Sequence, residues 1–451
     1  MNFLFWYEIS NIQVTIHKDC NSKIQRIHEL ILRSNQLNYT KKRISLEELS
    51  AILSDPAYKC GYVTVTDRFG DYGIVGFYAE KDMRLEHFLF SCRTMGQKIE
   101  QWVYAQLGFP ELTVVGEVRT ILNRSECPGW INQSGINDDK RAAPMIQGKI
   151  LMKGPCDLSH SLVYIKGGEI DTEFTYVSNE TGQIIDAYNH SVHIEGLHTY
   201  SDLDKEEIAR DCIFVDPAML SGSFFTKEYD LIILSTLIES TYEIYQKKNK
   251  DLKVVYSRLQ IGDAVKWKEY LSKNTHVERN YHTKDYFQSF AEKYDCIGYT
   301  TPEMYLSFLT KCLLWLPDKT HLCLILGPTL FYNGAEEEKL RHRRLNDAVK
   351  EFAANHPRIK YIEIDRCLSD ASDFDGGLNH FSSRVYYKIA QEIIRTTIEV
   401  TGADIKSYSS RIVVLDSIIV RLRRFIKRIT KQDSRTYVFM KRTYDKVYKQ
   451  R

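Results

Sequence analysis

Lys149-Ile150-Leu151-Met152-Lys153-Gly154-Pro155-Cys156-Asp157-Leu158-Ser159-His160 reads as a buried strand that stops at glycine and proline and opens into a polar loop. A short apolar run closed by a turn fits a strand covered on both faces. The pattern returns at Ile213-Phe214-Val215, Leu231-Ile232-Ile233-Leu234, Leu322-Cys323-Leu324-Ile325-Leu326 and Tyr361-Ile362-Glu363-Ile364. Helical periodicity lies between these runs, clearest from Thr301 to Trp315 and from Glu336 to Ala354. Strands alternating with amphipathic helices predict a parallel sheet with helices on both faces. Sites in such sheets lie at the carboxyl ends of the strands. The polar stretch Gly135 to Arg141 precedes the first of these strands, so a domain is expected to begin near residue 149.

Two junctions carry candidate chemistry. One is the loop from Gly154 to His160; the other is Asp373-Phe374-Asp375-Gly376-Gly377-Leu378-Asn379-His380-Phe381-Ser382, just before the last helical stretch. Together with Leu326-Gly327-Pro328-Thr329 and Arg344-Leu345-Asn346, they resemble SGNH (GDSL-type) hydrolases and capsule-biosynthesis acyltransferases of the WcbI kind, over roughly residues 149 to 398. The resemblance implies a nucleophile at Cys156, where those families carry serine, and a general base at His380. Cysteine serves as nucleophile when its thiolate is stabilised by a helix N-terminus or an imidazole. The residue three before His380 is Gly377, so an orienting carboxylate has to come from Asp375 or Asp373, or be absent. Asp157, Ser159 and His160 are alternative actors. Ser235-Thr236 stands where the families carry an oxyanion asparagine, so their hydroxyls or backbone amides are the expected substitutes, with Ser235 also a candidate for substrate binding.

Upstream, Tyr62 to Val65 and Ile74 to Tyr78 read as a hairpin around Asp67-Arg68-Phe69-Gly70-Asp71-Tyr72-Gly73, and Phe88 to Ser91 as a third strand. A helix is expected from Gly96 to Leu107, its apolar Ile99, Val103 and Leu107 on one stripe. Before it stands Ser91-Cys92-Arg93-Thr94-Met95-Gly96-Gln97-Lys98, and Arg26 to Asn38 supplies another helix ending in Asn35-Gln36-Leu37-Asn38. These motifs, in this order, resemble the acyltransferase-type half of FkbH-like proteins, a GNAT-like domain. The resemblance implies that Arg93, Gly96 and Gln97 hold the diphosphate of coenzyme A, where free amides and the helix dipole favour an anion. Lys98 replaces the small residue of that pattern. Asn35, Asn38, Asp67 and Arg68 are the substrate-binding candidates of this half. Many FkbH-like proteins begin with a HAD-like phosphatase domain; its Asp-x-Asp strand end is not found here, and Asp202-Leu203-Asp204 reads as a helix N-terminus instead.

Hydrophobic content of 43% and charged content of 27% are ordinary for a globular chain of 451 residues, which is long enough for two or three domains. The ten cysteines lack zinc-ligand spacing and are expected as reduced thiols of a cytoplasmic protein. No metal is expected, and His190, His193 and His198 are read as the lining of an acceptor cleft. No signal peptide or membrane span is read. Residues 401–451 hold 14 Lys and Arg against 4 Asp and Glu, so a net charge of +2 conceals a tail of +10 and a remainder of −8. From Leu415 to Ile429 the tail reads as a basic amphipathic helix. It either docks on its own chain, meets an acidic carrier protein, or lies through 411–431 on an anionic membrane at the inner face. Nucleic acid is not expected, since the basic residues carry no recognisable binding motif.

The expected architecture is α/β. An FkbH-like GNAT-type α+β domain spans 8–145, a flavodoxin-like (SGNH-type) parallel-sheet domain 149–398, and a basic helical tail 401–451. The expected activity is transfer of an acyl group from coenzyme A or an acyl-carrier protein to a hydroxyl or amine, on a glycan or lipid-linked acceptor, in polysaccharide or secondary-metabolite assembly. The alternatives are an esterase acting on an acylated glycan and a non-catalytic scaffold.

Overall fold

The computed structural model describes residues 10–67, 70–133, 145–177, 184–186, 190–215, 220–237, 239–255, 267–268, 271, 283–378 and 380–402. Of Cys156, Asp157, His190 and Asp375 only the backbone is described. Arg68, Asn379 and the expected basic helix of the tail lie outside the described residues. The described residues up to Thr401 belong to one compact unit.

This unit contains two main sheets. Strand β1 (Ile12–His17) is followed by α1 (Ile24–Arg33) and α2 (Leu46–Ser54), then by β2 (Tyr58–Thr66), β3 (Asp71–Lys81), β4 (Arg84–Phe90), α3 (Ile99–Gln106) and β5 (Ile131–Gln133). The sheet order is β4-β3-β2-β1-β5, antiparallel from β4 to β1, with β5 added parallel to β1. Ser45 and Glu48 form a capping box that starts α2, satisfying two otherwise orphaned amides. Both helices bury Ile27, Leu30, Ile31 and Leu49 against Phe77, Ala79 and Leu89 of the sheet.

The second sheet begins with β6 (Met145–Lys153), α4 (Cys156–Ser161) and β7 (Lys166–Glu173), and a small hairpin β8 (Thr175–Val177) and β9 (Ile184–Asp186) follows. Then come α5 (His190–Thr199), α6 (Asp202–Asp211), β10 (Leu231–Ser235), β11 (Ile244–Lys247), β12 (Lys253–Val255), α7 (Lys284–Lys293) and β13 (Tyr294–Gly298). The chain closes with α8 (Pro302–Trp315), β14 (His321–Leu326), α9 (Glu336–Asn355), β15 (Ile359–Glu363), the hairpin β16 (Phe374–Gly377) and β17 (His380–Phe381), and α10 (Ser383–Thr401). The order β15-β14-β10-β6-β7 is parallel throughout. Numbered within the sheet this is 2-1-3-4-5, one of the two common doubly wound orders, with its switch point between β6 and β10. Tyr305, Phe308 and Leu309 of α8 and Leu345 and Val349 of α9 pack on one face, against Leu151, Ile232, Leu234 and Leu324. Helix α10 covers the other face over β6 and β15.

Several expectations shift. The helix expected from Gly96 begins at Ile99, because a 3-10 turn, Cys92–Thr94, and Lys98 in the left-handed region at φ 60° use up the preceding residues. Ile213 to Val215 is a turn rather than a strand: Val215 N–H closes back on the Cys212 carbonyl, and Phe214 is apolar because it packs on Phe290. Asp202-Leu203-Asp204 opens α6 with Ser201 and Asp204 as its capping box.

Acid sensitivity follows from the packing. Burial pushes His87 and His342 down to about 4, the nearby Lys42 and Arg341 adding to the effect. The unfolded chain, with histidine near its ordinary value, then binds more protons than the folded one between about pH 6.5 and 4, so stability falls as pH falls through that window. By pH 5 each histidine is expected to cost about 2 kcal/mol. Urea midpoints at pH 7 and pH 5 measure this, and His342→Leu should flatten the dependence because both ring nitrogens of His342 lack hydrogen-bond partners. An unchanged slope in that variant would reject the assignment.

Candidate functional site at the carboxyl ends of the parallel strands

Strand β6 ends at Lys153, and Gly154 and Pro155 lead directly into α4, which opens on Cys156. Gly154 is required by close approach: a Cβ there would stand 3.1 Å from Ser235 Cβ and 2.6 Å from Leu158 Cδ1. The ends of β6 and β10 therefore meet at the switch point, with the Cys156 loop beside fully buried Ser235. Ser235 Oγ accepts the Leu237 N–H at 3.3 Å. Thr236 is engaged twice with the Ile325 carbonyl, through its N–H at 2.9 Å and its hydroxyl at 3.1 Å. This corrects the expectation that the Thr236 hydroxyl serves an oxyanion.

His380 reaches the same region from the β16–β17 hairpin, where it pairs with Gly377, and it is 8% exposed. Helix α4 packs on β17 and on α10. His160, one turn after Cys156 on α4, is buried with its ring centroid 6.3 Å from that of His380 and 4.6 Å, edge-on, from Tyr386. Burial, then the charges of His380 and Arg93, hold His160 well below the usual histidine range. Its Nδ1 has no hydrogen-bond partner.

Asp373, one of the two carboxylates considered for orienting His380, is occupied elsewhere. It pairs with Arg384, accepts Ser382 Oγ at 3.2 Å, and takes the Ser369 N–H at 2.7 Å. These bonds fix the start of α10. Asp375 lies on β16, and its side chain is outside the described residues.

In the turn expected to hold coenzyme A, Thr94, Met95 and Gln97 are buried, Arg93 is half-buried and Gly96 is exposed. The amides of Thr94, Met95 and Gln97 donate to carbonyls of Ser91, Cys92 and Thr94 at 3.0–3.2 Å. Arg93 is pushed down to about 10, chiefly by burial, and donates to Ser91 Oγ at 3.2 Å and the Ile74 carbonyl at 3.1 Å. Gly96 adopts φ 78°, and the Lys98 ammonium pairs with Glu126. Gln97, 1% exposed, donates to Ser383 Oγ at 2.8 Å and Tyr72 Oη at 3.3 Å. Tyr72 donates to Asp67 at 2.8 Å and meets Tyr164 Oη at 2.7 Å. Asp67 and Gln97 thus belong to a buried seam between the two sheets. Asn38 is fully buried in the fold, its Oδ1 accepting the Lys41 N–H at 2.9 Å, while exposed Asn35 offers its carbonyl to Lys41 Nζ at 2.7 Å. His198 stacks on Trp315 with centroids 4.1 Å apart, a packing contact.

Sequence reasoning missed a buried ion pair beside the site. Lys153, fully buried, donates to Glu173 at 3.0 Å, and Glu173 also accepts the Ser223 N–H at 2.7 Å and its hydroxyl at 2.8 Å. Burial would raise the Glu173 carboxyl, but Lys153 and Ser223 prevail and hold it low; burial lowers Lys153. The available signal was a lysine closing the apolar run Ile150-Leu151-Met152.

No protein-family model matches the sequence, and no curated protein matches it. Among solved structures the chain aligns with a carbohydrate esterase family 2 enzyme carrying a carbohydrate-binding domain, from Corynascus thermopiles (Myceliophthora fergusii). The identity is 9%, 58% of this chain and 68% of that chain are covered, and the TM-score is 0.27. A likeness at that score bears on neither fold nor function. Among the described residues, no helix is long and apolar enough to cross a membrane.

Proposed function

We propose that the protein is an acyltransferase working through a covalent thioester in its second half. The observation that carries this reading is the placement of buried His380 against the short helix that Cys156 opens, at the switch point of a doubly wound parallel sheet. His380 takes the Cys156 thiol proton, and the thiolate attacks the carbonyl of an acyl thioester on coenzyme A or a carrier protein. The carrier thiol leaves with that proton. His380 then takes the proton of an acceptor hydroxyl or amine, which attacks the acyl-cysteine, and the proton returns to the departing Cys156 sulfur. Burial of His380 and Ser235 favours transfer over hydrolysis, since water entering the intermediate would release free acid.

Direct attack in the first half is the weaker route, because Arg93 and Gln97 are engaged within the fold. The acceptor is a hydroxyl- or amine-bearing glycan or lipid-linked intermediate, reached in the cytoplasm, with the basic tail as a contact for an anionic membrane or an acidic carrier. Intact mass after incubation with acetyl-coenzyme A or an acylated carrier protein tests the mechanism. Wild type is expected to gain one acyl group and Cys156→Ala none. A gain that persists in Cys156→Ala would remove Cys156 as the nucleophile.

A further inference from the structure

We infer that Gln97 and Tyr72, from the antiparallel half, are positioning residues for His380, so that one site is assembled from both halves of the chain. The inference rests on the role proposed for His380. Ser383 begins α10, three residues after His380, and receives the Gln97 amide at 2.8 Å. The same amide reaches Tyr72 Oη at 3.3 Å. Because the Tyr72 proton goes to Asp67 at 2.8 Å, the proton in the 2.7 Å contact with Tyr164 comes from Tyr164. Tyr164 ends the 3-10 turn that continues α4, one turn beyond His160.

The two elements that flank His380, α4 with its extension and the start of α10, are therefore tied to the first half by one network. Tyr72 and Gln97 are each 1% exposed and Tyr164 is 4% exposed. Water cannot replace a lost bond there, so each deletion is felt in full. The start of α10 is also held from its own half by Asp373, Ser382 and Arg384. Removing the first-half contacts should thus shift the helix end without unfolding it. Of the titratable groups, His160 on α4 faces His380, and the Arg93 charge also acts on His160; Asp67, Tyr72 and Tyr164 share the seam, and the Asp373–Arg384 pair stands at the start of α10.

The test uses the full chain. The His380 resonance, assigned with His380→Gln, is titrated by NMR in wild type, Gln97→Leu, Tyr72→Phe and Tyr39→Phe, and p-nitrophenyl acetate turnover is measured in each. Tyr39→Phe is the control, deleting a buried hydroxyl bond to the Thr120 carbonyl away from the seam. In Gln97→Leu and Tyr72→Phe the His380 midpoint should move by about half a pH unit or more. Their kcat should fall on the order of tenfold with KM held within about twofold, and Tyr39→Phe should do neither. Seam variants that titrate and turn over like Tyr39→Phe would overturn the inference. If wild type turns over no ester, the proposed function loses support, and the His380 midpoints alone then decide the positioning role. Should Gln97→Leu fail to fold, the milder Tyr72→Phe decides by the same readouts.

Discussion

Replacing His380 by glutamine is expected to lower acyl transfer and ester turnover by about a hundredfold to ten-thousandfold, the range a general base supplies. Glutamine keeps much of the volume and hydrogen-bonding capacity of the buried ring, so the unfolding midpoint should move far less than the rate. The choice of residue matters, because Asp373 has a structural duty and His160 has a competing claim. Asp373 accepts from Arg384, Ser382 and the Ser369 amide, and its loss would release the start of α10. His160 faces His380 and shares its helix with Cys156, which makes it the natural competitor for the role of base. A soluble His380→Gln protein that keeps activity within about twofold would hand that role to His160. Loss of activity in His380→Gln but not in His160→Gln would retain it for His380.

The second large effect concerns stability. Glu173→Ala is expected to destabilise the protein by about 3–5 kcal/mol, because it strands a fully buried lysine as an unpaired charge. It also removes the acceptor for the Ser223 amide and hydroxyl. Removing both charges together, as Lys153→Met with Glu173→Leu, should recover much of that loss, since well-packed apolar groups often match or exceed a buried pair. Denaturant midpoints of the two variants make the comparison. A Glu173→Ala midpoint within about 1 kcal/mol of wild type would mean that the pair behaves like an exposed one. Lys153 directly precedes Gly154, so a loosened pair should also be felt in the loop that carries Cys156.

The elements with strong periodicity were legible in the sequence. The expected strands at Leu231, Leu322 and Tyr361 are β10, β14 and β15, and the helix expected from Thr301 to Trp315 is α8 with Thr301 as its N-cap. Strand β7 was not legible: its sequence, Lys-Gly-Gly-Glu-Ile-Asp-Thr-Glu, belongs to an edge strand with much of its surface exposed, and it lacks an apolar run. Ile213 to Val215 misled for the opposite reason, since side-chain packing on a helix produces the same apolar triplet as a sheet. At the candidate site, Cys156 and His380 stood out because their residue types carry chemistry. The seam did not. Tyr72, Tyr164, Gln97 and Ser383 are unremarkable singly, and nothing local in the chain reports that residues so far apart share hydrogen bonds.

That separation has a consequence for synthesis. Gln97 and Ser383 are 286 positions apart. At elongation rates of roughly 5–20 residues per second, the first sheet waits roughly 15 s to a minute for the helix that will cover its Tyr72 and Gln97 face. A hydrocarbon face left open for so long would invite aggregation. A face of hydroxyls, an amide and a carboxylate can be hydrated while it waits, so the polar chemistry of the seam also suits a nascent chain whose two halves leave the ribosome at different times.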